Sequence, residues 1–202
     1  MHALIEHART FPDQISGRHE EFAKLAQGQK PQALFISCSD SRVVPSMFTG
    51  ARPGDIFELR TAGNIVPPYR PQVPCAVAGT VEFAVQALHI LDIVVCGHSH
   101  CGAVQGLMRE QTVQTMPMLR HWLYRAGYRA RGEGPWQVQG LSEDPAAVAQ
   151  RHILTQLDHL RSYPWISRRL TSGRLRLHAW YYTVETGQVL SCPSDSTEFA
   201  AL

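Results

Sequence analysis

Short apolar runs alternate with amphipathic stretches along this chain, and the alternation predicts strands separated by helices. From Leu4 to Leu25 the residues Leu4, Ile5, Ala8, Phe11, Ile15, Phe22 and Leu25 recur mostly at intervals of three and four, the spacing of an amphipathic helix, with an interruption expected near Pro12. Residues 33–37 form a short apolar run after Gly28-Gln-Lys-Pro31, which predicts a buried parallel strand with Cys38 at its C-terminal end. A helical turn is expected after Pro45, a second strand from Asp55 to Leu59, and a loop from Arg60 to Arg70, where Gly63, Pro67 and Pro68 fall.

Cys75 to Leu91 is apolar on nearly every face, with Glu82, Gln86 and His89 along one stripe, and predicts a core helix. Asp92 to Cys96 is the next strand, followed by a helix from about Gly102 to Arg109; Met116 to Ala130 reads as helix and residues 131–135 as a surface turn. Ser142 to Pro145 combines a capping residue with a proline suited to a first helical turn. The stripe Val148, Ile153, Leu157 and Leu160 follows, Pro164 breaks it, and Gly173 ends the second piece. Leu175, Leu177 and Ala179 alternate toward Tyr181, and Glu185-Thr-Gly187 turns the chain back into residues 188–192, a hairpin that adds a strand at the sheet edge. The expected fold is therefore α/β: a single domain over 1–202 with a central, mostly parallel sheet flanked by helices on both faces, a helical arm over 1–30 and a C-terminal hairpin strand at the edge.

Composition narrows the setting. With 202 residues, 44% hydrophobic and 18% charged, the chain suffices for one sizeable core. The net charge of +2, with acids and bases interspersed, offers no basic stripe, so no nucleic-acid partner is expected. The first residues lack the apolar core of a secretory signal, and no window approaches a membrane span, so a soluble cytoplasmic protein with no membrane association is expected. Five cysteines is an odd number, and in a reducing compartment cysteines beside a histidine are more often ligands than disulfide partners.

The chemistry gathers in Phe35-Ile-Ser-Cys-Ser-Asp-Ser-Arg42 and Val94-Val-Cys-Gly-His-Ser-His-Cys-Gly102. Cys38, His98 and Cys101 make three soft donors, each close to the C-terminal end of a predicted parallel strand, where open α/β sheets place their ligands. Structural zinc sites close all four positions with side chains, whereas catalytic sites use three. Two sulfurs and one imidazole favour zinc over magnesium, calcium or manganese and leave iron and cobalt open. Cys101 also opens a helix, which favours thiolate. Cys96, inside a strand, reads as an inert core cysteine, and Cys75 and Cys192 have no partner spacing. His100 lies only two residues beyond His98, so spacing gives His98 a modest edge as the ligand. Asp40 and Arg42 make either an ordinary surface ion pair or, beside a cation, a carboxylate held by a guanidinium fork.

Cys38-x-Asp40-x-Arg42 followed by His98-x-x-Cys101 resembles the signature of the β-class carbonic anhydrases, and residues 53–57, 62–68, 81–84, 97–103 and 177–180 resemble further blocks of that family in the same order. The resemblance implies His98 rather than His100 as the ligand, a zinc cofactor on Cys38, His98 and Cys101, and reversible hydration of carbon dioxide to bicarbonate and a proton by zinc-bound hydroxide. It implies an Asp40–Arg42 dyad in which docked Asp40 accepts the hydroxide proton and released Asp40 becomes a fourth zinc ligand in a closed state. It further implies substrate contacts from Gln29, Phe57, Phe83 and Gly102, and an arm that packs on a second subunit of a homodimer or a dimer-based tetramer or octamer. By itself, the arm's pattern also fits a helix lying on its own domain. Three departures stand out: Phe83 where plant-type members have tyrosine, Thr61-Ala62 where asparagine usually follows the arginine, and Phe35 where some members have the tryptophan of a separate bicarbonate pocket whose arginine matches Arg60. Two rival functions are a zinc hydrolase of carbonyl sulfide or carbon disulfide and a catalytically silent zinc-stabilised binding protein; the intact Asp40 and Arg42 argue against the second.

Overall fold

The computed structural model describes residues 1–125 and 144–202. The predicted turn at 131–135, the end of the helix expected to reach Ala130, and Ser142 lie outside the described residues. The chain divides into two compact units, Met1–Lys30 and Pro31–Leu202.

In the first unit, helix α1 (His2–Gln14) and helix α2 (His19–Leu25) are joined by a turn of 3-10 helix at Ser16–Arg18, and neither helix buries a residue. The interruption expected at Pro12 falls later. A proline three residues from a helix end forfeits one backbone bond, and the next turn still closes through Ile15 N–H to the Phe11 carbonyl at 3.1 Å.

The second unit holds a six-stranded sheet in the order β2-β1-β3-β4-β5-β6. Its strands are β1 (Ala33–Cys38), β2 (Ile56–Thr61), β3 (Asp92–His98), β4 (Arg176–Tyr182), β5 (Val189–Cys192) and β6 (Ala200–Ala201). The first four run parallel; β5 and β6 are antiparallel additions, so the predicted hairpin is present and a further two-residue edge strand follows it. Between them lie α3 (Pro45–Thr49), α4 (Ala76–Gln86), α5 (Gly102–Met108), α6 (Pro117–Arg125), α7 (Pro145–Arg161) and α8 (Pro164–Thr171). No described helix is long and apolar enough to cross a membrane.

Alternation along the strands divides the interior unevenly. Leu34, Ile36, Ile93 and Val95 join one large core with Val81 of α4, Val104 of α5, Leu123 of α6, Ile153 and Leu157 of α7 and Ile166 of α8. Phe35, Val94 and Cys96 point to the other face, into a smaller cluster with Phe48 of α3, Trp180 and Tyr182. Each fully buried aliphatic side chain contributes roughly 1.5–3 kcal/mol, so the larger face dominates the stability.

Two local features refine the predicted boundaries. Helix α4 stops at Gln86 rather than Leu91, because His89 adopts a left-handed φ of 55° and Arg169 donates to the Val85 carbonyl and, at 3.1 Å, to Gln86 Oε1. Helix α7 starts as the local sequence requires, with Pro145 in its first turn and Asp144 Oδ1 accepting Ala146 N–H at 3.0 Å. Gly97 lets α7 close onto β3, since a Cβ there would sit 2.8 Å from two carbons of Ile153. That contact lies immediately before His98.

Candidate metal centre

The adjacent strands β1 and β3 end side by side. Cys38 is the last residue of β1, His98 the last of β3, and Cys101 caps the N-terminus of α5. Their donor atoms all lie within 4.8 Å of one another, with the two sulfurs 3.9 Å apart, and all three residues are buried. His98 Nδ1 is 2.8 Å from the Ser99 carbonyl, which can only accept, so the ring proton sits there and Nε2 presents its lone pair. That Nε2 is buried and has no hydrogen-bond partner among the described residues.

This donor set fits a soft divalent metal. The pairing with Cys101 holds the Cys38 thiol below its ordinary value, assisted by His98 and the Gly63 N–H, while the same pairing and burial raise Cys101. Two adjacent buried sulfurs therefore resist ionising together until a cation shares their charge. The backbone N–H groups of Ala103 and Val104, at the start of α5, favour the Cys101 thiolate. An orphaned imidazole nitrogen in the same space supplies the third donor.

Asp40 and Arg42 flank this cluster. Arg42 Nε donates to Asp40 Oδ1 at 2.9 Å and Nη2 to Oδ2 at 2.7 Å, while the Arg42 backbone N–H reaches Oδ1 at 3.0 Å. The bidentate side-chain hydrogen bonding to Arg42 holds the Asp40 carboxyl far below the usual carboxylate range. Asp40 Oδ2 lies 3.9 Å from His98 Nε2, and Arg42 Nη2 also donates to the His100 carbonyl at 3.1 Å, tying the two ligand-bearing loops together.

Other singled-out residues are placed differently. His100 turns outward with φ 56° and lies 3.2 Å from Glu185 Oε1. Phe57 packs on Phe83 with ring centroids 5.9 Å apart, and its register partner is Leu34, four residues before Cys38 and so about 13 Å back along the strand. Gly102 is the exposed first residue of α5, and Gln29 is an exposed residue of the first unit. Burial pushes the Cys96 thiol up to about 12, and its side chain points into the opposite cluster. Cys75 caps α4, and Cys192 is buried beside the Ser196 carbonyl at 3.3 Å.

Sequence reasoning missed two supports. Arg60 donates to backbone carbonyls of the segment that carries Cys38 and Asp40. Ser99 Oγ donates to Glu185 Oε2 at 2.6 Å and accepts Val184 N–H at 2.9 Å, bracing the turn whose carbonyl takes the His98 proton. The only sequence signal for the second was an acid in the hairpin turn.

Comparison with known proteins gives a consistent answer. The carbonic anhydrase family model matches residues 33–189. The chain is 40% identical over 190 residues to a carbonic anhydrase of Pseudomonas aeruginosa, covering 94% of this chain and 86% of that one. It is 41% identical over 186 residues to carbonic anhydrase 1 of Escherichia coli O157:H7, covering 92% and 84%. Among solved structures, the β-carbonic anhydrase CcaA superposes with a TM-score of 0.87 at 38% identity, covering 100% of this chain and 99% of that one. Tetrameric β-carbonic anhydrases of Sordaria macrospora superpose with a TM-score of 0.74 at 27% identity, covering 94% of each chain. With a family match across the ligand-bearing strands and a shared fold over the whole length, this chain belongs to the β-class carbonic anhydrases.

Proposed function

We propose that this protein catalyses the reversible hydration of carbon dioxide to bicarbonate, with zinc held by Cys38 Sγ, His98 Nε2 and Cys101 Sγ. The observation that carries the reading is the buried three-donor cluster, with a His98 Nε2 that has no hydrogen-bond partner among the described residues, set beside a carboxylate that Arg42 holds ionised. Zinc, when bound, supplies a Lewis acid that acidifies water toward neutrality.

The chain's own residues supply orientation and proton handling. The fork of Arg42 engages both carboxylate oxygens of Asp40, and Oδ2 retains a free lone pair to accept the proton of the reacting water and direct its oxygen toward carbon. The Ser99 carbonyl fixes the His98 tautomer. In this reading Phe57 and Phe83 would offer apolar surface to a small apolar gas, Gln29 a side-chain N–H for a substrate oxygen and Gly102 close backbone approach. Phe57 lies about 13 Å back along the strands from Cys38, so it and Gln29 of the subunit-packing arm would serve the site of a second subunit. The three hydrogen bonds from Arg42 favour the open arrangement over one in which Asp40 becomes a fourth ligand. No observation favours the carbonyl sulfide, carbon disulfide or silent-binding alternatives.

The working unit in this reading is a cytoplasmic homodimer or a dimer-based tetramer or octamer, with residues 1–30 packed on a second subunit. Leu4, Ile5 and Phe11 support it: they stay 69%, 44% and 42% exposed in a unit whose helices bury nothing of their own. All five cysteines are free, as a reducing compartment requires.

Stopped-flow hydration paired with metal analysis tests the function. Stoichiometric zinc and rapid turnover are expected; a pure, zinc-replete protein inactive at alkaline pH would overturn the reading.

A further inference from the structure

Gly63 stands between two peptide planes, and each is held from its carbonyl side by a ring N–H. The indole Nε1 of Trp122, on α6, donates to the Ala62 carbonyl at 2.8 Å. The imidazole Nε2 of His152, on α7, donates to the Gly63 carbonyl at 2.7 Å. The first plane's own N–H, that of Gly63, faces Cys38 Sγ at 3.3 Å. His152 is buried, and its Nδ1 lies 3.4 Å from Gln156 Nε2, so the ring accepts there and donates at Nε2. Gln156 Oε1 in turn accepts the Val66 N–H at 2.9 Å, fastening the far end of the same loop to the same helix.

This loop needs fastening. Gly63 and Asn64 are consecutively left-handed, with φ of 75° and 49°, a conformation that persists only where the surroundings over-determine it. A Cβ on Gly63 would lie 2.8 Å from Ala103 Cβ in the helix that Cys101 caps, so the loop is also pressed against the second sulfur ligand's element.

We propose that Trp122 and His152 are positioning residues for Cys38, holding the Gly63 N–H on its sulfur through the two peptide planes that flank Gly63. The inference rests on Cys38 being a zinc ligand. An N–H aimed at a thiolate draws charge from it, and a peptide whose carbonyl already accepts a bond is a stronger donor at its N–H. Two thiolates donate more charge to a metal than imidazoles do. The Gly63 N–H restrains that donation and so preserves the metal's acidity.

The test uses the spin-half isotope of cadmium as the metal probe. In the cadmium-loaded wild-type protein, the Gly63 amide proton is expected to show scalar coupling to the metal across the N–H···S bond. Trp122→Phe keeps an aromatic ring without the N–H, and His152→Leu removes the second donor; each is expected to diminish the coupling with cadmium still bound, whereas His152→Gln, which retains a donor, is expected to keep it. In the zinc form, Trp122→Phe is expected to shift the acid midpoint of hydration to higher pH. Bound cadmium without coupling at Gly63 in the wild-type protein overturns the inference and needs no variant to fold. Undiminished coupling in Trp122→Phe and His152→Leu overturns the positioning role. Failure of the wild-type protein to take cadmium through two sulfurs and one nitrogen, visible in the metal's own chemical shift, overturns the zinc assignment itself.

Discussion

Arg60 donates from Nε and Nη2 to the carbonyl of Cys38, at 3.1 and 2.9 Å. The same Nη2 reaches the carbonyls of Asp40 and Val43 at 2.8 and 2.6 Å, so one side chain of β2 sets the path of the segment that carries a sulfur donor and the carboxylate. Arg60→Leu is expected to cost about 1–3 kcal/mol in urea unfolding, through carbonyls left without a donor, and to lower the hydration rate. Arg60→Lys should not rescue it, because an ammonium lacks the planar fork. Unchanged stability in Arg60→Leu would contradict this account.

Zinc content separates ligands from packing. Cys38→Ala, His98→Ala and Cys101→Ala are each expected to lose zinc and most activity, while Cys96→Ala keeps stoichiometric metal and loses on the order of 1 kcal/mol of stability for a small buried side chain. Metal analysis of the four purified variants decides it, and zinc retained in Cys101→Ala would remove that residue from the ligand set.

Asp40→Asn is expected to keep zinc and slow turnover about 100-fold, the scale of a lost proton acceptor. Hydrogen bonding from Arg42 holds the Asp40 carboxyl well below the ordinary carboxylate range, so it stays ionised throughout the working range. Any acid loss of activity above pH 5 should therefore persist in form when Asp40 is exchanged. A midpoint that disappears with Asp40→Asn would show that the carboxylate itself titrates there.

The resting coordination is also accessible. Phe35 packs edge-on to Trp180 with centroids 5.7 Å apart and carries no N–H for an anion, and Arg60 is committed to backbone carbonyls. X-ray absorption at the zinc edge near pH 7 is expected to find two sulfurs, one nitrogen and a solvent oxygen, unchanged by bicarbonate. A carboxylate oxygen that grows with bicarbonate would show that Asp40 closes the site.

Burial pushes the His152 imidazole down to about 4, against an ordinary value of 6.5. The unfolded chain binds a proton there at a higher pH than the native protein does, so its contribution to stability is complete above about pH 6.5 and declines as pH falls toward about 4. The full decline amounts to roughly 3 kcal/mol. Denaturant unfolding at pH 7.5 and pH 5 should show the drop in the wild-type protein and a smaller one in His152→Gln. An equal drop in both would assign the acid sensitivity elsewhere.

The parts of this fold that show in the sequence are those whose cause is local. The strands β1 and β3 announce themselves as apolar runs that stop at a cysteine and a histidine, and Pro145, in a segment that also offers a capping residue, marks the start of α7. Placement at strand ends singles out Cys38 and Cys101, and the family resemblance rather than spacing alone selects His98 over His100 as the third of the side chains whose donor atoms converge. Strand β6 is only two alanines and has no pattern to read; it exists because β5 offers it an open edge. The end of α4 depends on Arg169, far along the chain, and so was placed five residues late. Trp122 and His152 were invisible for the same reason: their acceptors are backbone carbonyls 60 and 89 residues away, which leave no trace in residue type.

The two strands whose ends carry Cys38 and His98 are neighbours, each with a paired strand on its far side, while β2 and β6 form the margins of the sheet. Amide hydrogen exchange should thus rank the molecule from the outside in, with the β5–β6 margin opening at a small fraction of the global unfolding free energy and β1 and β3 exchanging only when the whole sheet comes apart. Breathing at the edge can then proceed on its own timescale while the spacing between sulfur and imidazole stays fixed.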